Sequence, residues 1–202
     1  MKIVGVEVLQ NHGKYAASSE WRATRKMLHN AVQRVAWPPG SKRFTIFPES
    51  GKKSGQGNGV KPIKDELMQE LETRGWKLEE HLKVATLKRP GKLDAVLYTS
   101  YGPLALEWET GNISSSHRAL NKMALGLLNG SLAGGILIVP SRKLYKYLTD
   151  RVGNISELEP YFDLWRSIPS KEGVLEVIVV EHDAESTKVP RIPKGTDGRA
   201  LR

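Results

Sequence analysis

Two glutamates one residue apart, Glu107 and Glu109, flank Trp108 in a segment whose composition is typical of a strand. Strand side chains alternate between faces, so both carboxylates should project to one side and Trp108 to the other. Asp94 lies in the preceding predicted strand, and residues 100–103 are turn formers. A hairpin folded about that turn would place Asp94 opposite the two glutamates.

Such a group of carboxylates has a specific chemistry. Three negative charges held close together repel one another and need a cation, and oxygen-only ligands favour a hard ion such as Mg²⁺. A site of this kind can hydrolyse a phosphodiester, with Asp94 and Glu107 as metal ligands. Glu109 would orient or deprotonate the attacking water. The alternative is a solvated acidic edge of a sheet, and the pattern alone leaves both interpretations open.

The overall charge favours a nucleic-acid partner. The chain has 202 residues and a formal net charge of +9. Such a balance is typical of proteins that bind a polyanion. The clustered carboxylates run against the overall positive charge of the chain, which favours a local function for them. A basic surface without a particular partner is the alternative.

Several classes of protein are excluded or disfavoured by composition. The chain contains no cysteine, which excludes disulfides, thiolate catalysis and cysteine-ligated zinc and fits a reducing cytoplasm. Residues 1–10 alternate like a strand and lack the apolar core of a signal peptide. No apolar run has the length of a membrane span. We therefore expect a cytoplasmic protein with no membrane association.

The order of predicted elements indicates an α/β fold with a central mixed sheet flanked by helices, in a single domain over residues 1–202. Residues 183–202 are predicted to form an irregular C-terminal tail. The glycine- and lysine-bearing loop 51–59 is interpreted as a basic connector. Strands are predicted at residues 2–9, 43–47, 81–87, 94–99, 104–110, 135–139 and 173–181, and helices at 18–36, 62–74, 116–129, 141–148 and 155–162.

Several further features bear on assembly and on DNA binding. The apolar stripe of helix 116–129 could supply part of a dimer interface or pack on the sheet, and helix 155–162 is a second interface candidate. On composition alone, we interpret Asp150 and Arg151 as a surface ion pair. Their residue types also allow base contacts, because Arg can bind guanine and Asp can accept a hydrogen bond from the cytosine amino group. The lysines predicted as phosphate contacts are Lys61, Lys122 and Lys146.

Several runs of residues resemble the BamHI family of type II restriction endonucleases. They cover residues 58–64, 107–118, 147–152, 157–162 and 192–198, with matching order and spacing from about residue 58 to the end. The ending at residues 198–202 is similar to that of a shorter isoschizomer in the family. Runs of this length are highly specific.

This resemblance implies the PD-(D/E)XK restriction-endonuclease fold and a homodimer that binds double-stranded DNA. It implies hydrolysis of the palindrome GGATCC after the first G, leaving 5′ overhangs, with one or two Mg²⁺ ions in each active site. A companion DNA methyltransferase is implied genetically rather than as a bound partner.

The resemblance also assigns catalytic roles to single residues. The family's metal aspartate corresponds to Asp94 and its metal glutamate to Glu107, with Trp108 also in the metal site. Glu109 is the third acid, where most relatives of the wider fold carry lysine. A further family glutamate falls on Glu79, with Glu80 as the alternative.

DNA contacts follow in the same way. Major-groove base contacts correspond to Asn112, Ser114, Arg118, Asp150 and Arg151, which reverses the surface-ion-pair interpretation of the last two. Asp197 and Gly198 match tail residues that approach the minor groove. Two other functions remain as alternatives: a structure-specific repair or recombination nuclease with the same metal core, and a DNA-binding protein without catalysis.

Overall fold

A computed structural model of the chain describes residues 1–53, 55–84, 91–109, 111–149 and 152–194. Its strands are β1 (Lys2–His12), β2 (Thr45–Ile46), β3 (Lys77–Glu80), β4 (Leu93–Thr99), β5 (Gly102–Trp108), β6 (Gly134–Pro140), β7 (Gly173–Glu181) and β8 (Ala184–Glu185). Its helices are α1 (Gly13–Ala17), α2 (Ser19–Arg34), α3 (Lys61–Glu72), α4 (Ile113–Leu128), α5 (Arg142–Tyr145), α6 (Ile155–Leu158) and α7 (Phe162–Arg166).

Six strands form one mixed sheet in the order β1-β7-β6-β5-β4-β3. The central pairs β5–β6 and β6–β7 are parallel, and the outer pairs β1–β7, β4–β5 and β3–β4 are antiparallel. Parallel strands are normally covered on both faces, and β6 is buried at every position. The predicted α/β architecture with a central mixed sheet is confirmed.

The β4–β5 hairpin folds as the turn residues predict. Ala95 pairs with Leu106 and Val96 with Ala105, so the register places Asp94 directly opposite Glu107. Only Ser100 and Tyr101 separate the two strands. The carboxyl end of β5 therefore carries its acids beside the start of β4.

Each face of the sheet has its own hydrophobic core. One core packs α2 and α3 on the sheet through residues that include Leu28, Val32, Leu67, Leu71 and Trp76. The other packs α4, α6 and α7 through residues that include Leu120, Met123, Leu158, Phe162 and Trp165. Truncating a buried tryptophan such as Trp165 typically lowers the free energy of unfolding by about 3–5 kcal/mol.

The apolar stripe of α4 packs on the sheet, since Leu120, Met123 and Leu127 are buried. Leu125 and Leu128 remain exposed on the same helix. The predicted helix 155–162 is interrupted by a 3₁₀ turn over Glu159–Tyr161 before α7 begins. Pro160 explains the break, because it has no N–H to continue an α-helical ladder.

Two further predictions differ from the structure. A strand was expected at 81–87, but the pairing of β3 with β4 ends at Glu80, opposite the first residue of β4. Residues 81–84 are not in a strand, and 85–87 lie outside the described residues. The tail, expected to be irregular from 183, instead begins with β8, which pairs with β2. Asp183 anchors this pairing by accepting a 2.7 Å hydrogen bond from the Phe44 backbone N–H.

Over the described ranges, no helix has both the length and the apolar character needed to cross a membrane.

Candidate active site

A cavity of about 180 Å³ lies at the carboxyl end of β5. We call it the acidic cavity. It receives side chains from β4, β5, α3 and α4, so both helical layers contribute to it. Its lining residues are Lys64, Asp94, Glu107, Trp108, Glu109, Ser115, Arg118, Ala119 and Lys122. The structure therefore brings the three sequence-predicted carboxylates to one place.

Asp94 and Glu107 are linked to the backbone across the hairpin. The Trp108 backbone N–H donates to Asp94 Oδ2 at 2.8 Å, and the Asp94 N–H approaches Glu107 Oε2 at 3.4 Å. Both side chains are 14% exposed. The pairing of strand ends thus holds two carboxylates together at the edge of the core.

Each of these carboxylates has a lysine partner. Lys64 Nζ on α3 lies 2.5 Å from Asp94 Oδ1, and Lys122 Nζ on α4 lies 2.5 Å from Glu107 Oε1. Lys122 also donates to the Lys92 carbonyl at 3.2 Å. Burial raises the pKa of Glu107, while the Lys122 ammonium opposes that shift. The positive charges balance acids that would otherwise destabilise the fold.

Glu109 lies just beyond β5. Its Oε1 accepts a 2.6 Å hydrogen bond from the Gly111 N–H, and its own N–H donates to the Ile138 carbonyl. Burial raises the pKa of Glu109 to about 7, with Glu107 and Asp94 adding to the rise. A carboxyl group with such a pKa can accept and release a proton near neutral pH.

Trp108 contributes to the cavity through its backbone. Its side chain is buried in the core on the other face of the sheet, as strand alternation predicts. An indole offers no metal-binding oxygen. A direct role for Trp108 in a metal site would therefore have to come from its main chain.

The structure does not bring Glu79 into the acidic cavity. The β3–β4 register sets Glu79 opposite Asp94, but its backbone has φ 52°, in the left-handed region. Its side chain is 60% exposed and lies 3.8 Å from Lys92. The alternative, Glu80, accepts a hydrogen bond from the Tyr98 hydroxyl. Neither acid lines the cavity in this conformation.

The donors present suit a hard cation, because all three are carboxylates. As the side chains stand, no three acidic or histidine groups surround a possible ion position within the described ranges. The two ammonium groups bind carboxylate oxygens that such an ion would need. The donor chemistry of this cavity therefore fits a metal, while Lys64 and Lys122 hold two of its carboxylates in this structure.

Predicted base-contacting residues lie beside the cavity on the first turns of α4. Asn112 caps this helix and accepts from the Ser115 N–H at 3.3 Å. Ser114 and Arg118 are exposed, and the Arg118 guanidinium donates to Ser115 Oγ at 3.1 Å. This end of α4 can face a ligand that also reaches the carboxylates. Four other predicted contacts, Asp150, Arg151, Asp197 and Gly198, lie outside the described residues.

The predicted phosphate-binding lysines have different environments. Lys61 is exposed at the start of α3, and Lys146 is exposed with its Nζ 4.5 Å from the centre of the Tyr147 ring. Lys122 instead lies inside the acidic cavity with only 8% of its side chain exposed. Lys64 was not among the predicted site residues. Its position one helical turn after Lys61 was the available signal, but only the packing of α3 shows which of the two points inward.

A second polar cluster organises the chain around Asn58, which is fully buried. Its side-chain amide donates to the carbonyls of Phe47 and Tyr147 at 2.9 Å each, and its Oδ1 accepts from the Ile192 N–H at 3.1 Å. Its backbone carbonyl accepts from the Thr149 N–H at 2.8 Å. We call this cluster the Asn58 junction. It joins three segments that each lead toward a predicted DNA contact: the basic loop 51–59, the chain before Asp150 and the tail before Asp197.

Comparison with known proteins decides the family. The family model for restriction endonuclease BamHI matches residues 1–199. The chain belongs to the BamHI family of restriction endonucleases. It is 48% identical to the type II restriction enzyme OkrAI of Oceanobacter kriegii, over all of both chains. It is also 39% identical to the type II restriction enzyme BamHI of Bacillus amyloliquefaciens over 173 residues, which are 82% of this chain and 77% of that one.

The solved structures agree on the fold. A crystal structure of restriction endonuclease BglII, complexed with a DNA 16-mer, is similar to this chain with a TM-score of 0.57. The two are 11% identical, and the match covers 95% of this chain and 88% of BglII. The predicted family and the restriction-endonuclease fold are therefore confirmed. Membership of the BamHI family also extends to the N-terminal residues, where the sequence resemblance was least clear.

Proposed function

We propose that this BamHI-family endonuclease hydrolyses duplex DNA at GGATCC, between the first and second G, in a reaction that depends on Mg²⁺. The acidic cavity carries this proposal, because Asp94, Glu107 and Glu109 line one pocket beside exposed polar residues of α4. The likeness to OkrAI along the whole chain supports the same type of activity.

Asp94 and Glu107 would hold the metal, with Trp108 contributing through its backbone. A bound Mg²⁺ would polarise the scissile phosphate and stabilise the charge that develops on it. One or two Mg²⁺ ions would occupy each site. Glu79 is left out of this ligand set because its side chain faces solvent and Lys92.

Glu109 would orient the attacking water and take its proton. The pKa of about 7, which burial gives this group, suits a general base that works near neutral pH. The Gly111 N–H holds one carboxylate oxygen of Glu109, and the other oxygen would face the water.

Recognition of the base pairs would come from two places. Asn112, Ser114 and Arg118 lie at the end of α4 nearest the carboxylates, and Asp150 and Arg151 follow the Asn58 junction. Asp197 and Gly198 would approach the minor groove. Exposed Lys61 and Lys146 would contact phosphates, which makes binding weaken as salt rises.

A palindromic site is naturally read by a two-fold dimer, and we propose that the enzyme is a homodimer. Leu125 and Leu128 on α4, with Tyr161 and Leu164 near α7, are exposed apolar residues. The two segments contact each other, since Trp165 Nε1 donates to Asn121 Oδ1 at 2.9 Å. A second copy would cover this surface. In the cell, a methyltransferase that modifies the same site would protect the host DNA.

The decisive experiment is digestion of a plasmid that contains a single GGATCC, beside a matched plasmid with one base of that site changed. We expect one linear product in Mg²⁺, 5′ overhangs when the ends are sequenced, and no cutting in Ca²⁺. The changed plasmid should stay intact. Random degradation would contradict the proposal. Cutting only at branched DNA, or tight binding without cleavage, would also contradict it, and each would identify one of the two alternatives.

A further inference from the structure

The two metal-binding carboxylates of the acidic cavity are already engaged by cations of the protein itself. Lys64 reaches Asp94 from α3, and Lys122 reaches Glu107 from α4, each at 2.5 Å. The two lysines come from opposite helical layers of the sheet. The phosphate contact predicted for Lys122 does not explain why its ammonium group lies on Glu107, and no role was predicted for Lys64.

The two lysine–carboxylate pairs are buried enough to affect stability. Lys64 is 21% exposed, and Lys122 and its partner Glu107 are still more buried. An exposed ion pair contributes little, whereas removing one partner of a buried pair leaves an uncompensated charge. The lysines therefore stabilise the carboxylates at times when nothing else neutralises them.

The charge balance makes these lysines exchangeable with a divalent cation. Each lysine–carboxylate pair is neutral as it stands. A divalent cation that takes both carboxylates leaves two ammonium groups without counter-ions inside a small cavity. A phosphodiester placed there would supply one of the two missing negative charges. A lysine can make this change because its ammonium is a point charge on a flexible four-carbon stem.

We propose that Lys64 and Lys122 are displaceable internal cations, which occupy the carboxylates of the free enzyme and turn to the scissile phosphate when metal and DNA bind together. The inference rests on the proposed function and deepens it. It makes the affinities for metal and for DNA interdependent, and such linkage is reciprocal and typically about 5- to 150-fold. The lysines act as positioning residues.

The test measures Ca²⁺ binding by calorimetry, with and without a duplex that contains GGATCC. The wild-type enzyme should bind Ca²⁺ weakly alone and about 5- to 150-fold more tightly with the duplex. In Lys122→Met the competing charge is gone, so Ca²⁺ affinity without DNA should rise about tenfold or more, and the gain from DNA should shrink. Lys64→Met, which is less buried, should shift both quantities in the same direction.

Lys26→Met is the matched control, because Lys26 is exposed on α2, which does not line the cavity. It should bind Ca²⁺ as the wild type does. Thermal melts with and without Ca²⁺ provide a second measurement: the lysine variants should melt lower than wild type without the ion and recover more stability on adding it.

Unchanged Ca²⁺ affinity without DNA in both folded variants would overturn the inference. So would a wild-type enzyme whose Ca²⁺ affinity is the same with and without the duplex. Plasmid cutting at GGATCC would still establish the proposed function in either case, so the two failures are distinguishable.

Discussion

The acidic cavity and the Asn58 junction both gather polar groups from segments far apart in the chain, but they balance those groups differently. The cavity pairs whole charges, with Lys64 and Lys122 on Asp94 and Glu107. The junction uses one neutral amide, whose hydrogen bonds all go to backbone groups. In the acidic cavity a ligand could replace the charged partners of the carboxylates. Among the described residues, the Asn58 junction has no charged partner for a ligand to replace.

This difference matches the task proposed for each region. An ammonium group weakens the attraction of its carboxylate for other cations but can itself be displaced, so the proposed exchange of lysine for metal is possible in the cavity. The buried Asn58 amide donates two hydrogen bonds and accepts one, so disrupting it leaves buried polar groups without partners. The junction therefore gives rigid starting points to the segments that would read DNA, while the cavity stays ready for chemistry.

The largest expected effect comes from the cavity. Glu107→Gln should lower the cleavage rate about 10³-fold, because it removes a charge that holds the metal where the phosphate reacts. Specific binding to a GGATCC duplex in Ca²⁺-free buffer should persist. Single-turnover cleavage and gel-shift assays measure the two quantities. Glu72→Gln, an exposed change on α3, is the control, and equal losses in both variants would refute the role of Glu107.

Asn58→Ala tests the rigidity of the junction. We expect the free energy of unfolding to fall by about 3 kcal/mol, since several buried backbone groups lose their partner. Urea denaturation measures this change. Asn30→Ala, on the exposed side of α2, should stay within about 0.5 kcal/mol of wild type. A loss at Asn58 as small as that at Asn30 would remove the contrast between the two regions.

Arg151→Ala tests whether the segment that follows the Asn58 junction makes a base contact. If Arg151 contacts a base, cognate binding should weaken by about 1–3 kcal/mol and non-specific binding much less. Lys146→Ala is the paired control on the same segment. It should weaken both kinds of binding alike and reduce the salt dependence by about one phosphate contact. Titrations of cognate and altered duplexes at several salt concentrations separate these results, and equal losses for Arg151 would make it a phosphate contact.

The smallest effect concerns pH. His182 is buried beside Tyr147, with ring centres 5.6 Å apart, and burial lowers its pKa. Because the pKa of His182 is lower in the folded protein, the unfolded chain binds a proton on this side chain more readily. The contribution of His182 to the free energy of unfolding is therefore complete above about pH 6.5 and is lost as the pH falls below it. We expect a decline of less than about 1.4 kcal/mol per pH unit from this group.

Denaturation between pH 5 and 8 checks this point. His182→Gln should flatten the decline at low pH, and His12→Gln, at an exposed position, should leave it unchanged. A His182→Gln variant that loses more stability than the wild type as the pH falls from 8 to 5 would contradict the sign of the effect. Glu109 in the cavity acts in the opposite direction over this range, because its pKa of about 7 is raised in the folded protein; the difference between the wild type and His182→Gln isolates the contribution of the histidine.

Local patterns sufficed for the parts of the molecule that depend on short stretches of chain. Alternation along residues 104–109 predicted that Glu107 and Glu109 face away from Trp108, and the turn residues predicted that Asp94 would lie opposite them. Both features follow from strand periodicity and hairpin geometry, which neighbouring residues set. The runs shared with the BamHI family were also readable directly, because they are contiguous.

Tertiary structure decided which charges meet. The lysines at 64 and 122 reach the acids of β4 and β5 only because helices from opposite layers converge at one strand end, and no local pattern distinguishes Lys64 from Lys61. Glu79 illustrates the converse, since it has the right register but a left-handed backbone that turns its side chain to Lys92. Charge pairing depends on distances between segments remote in sequence, and those distances exist only once the sheet and both helical layers have packed.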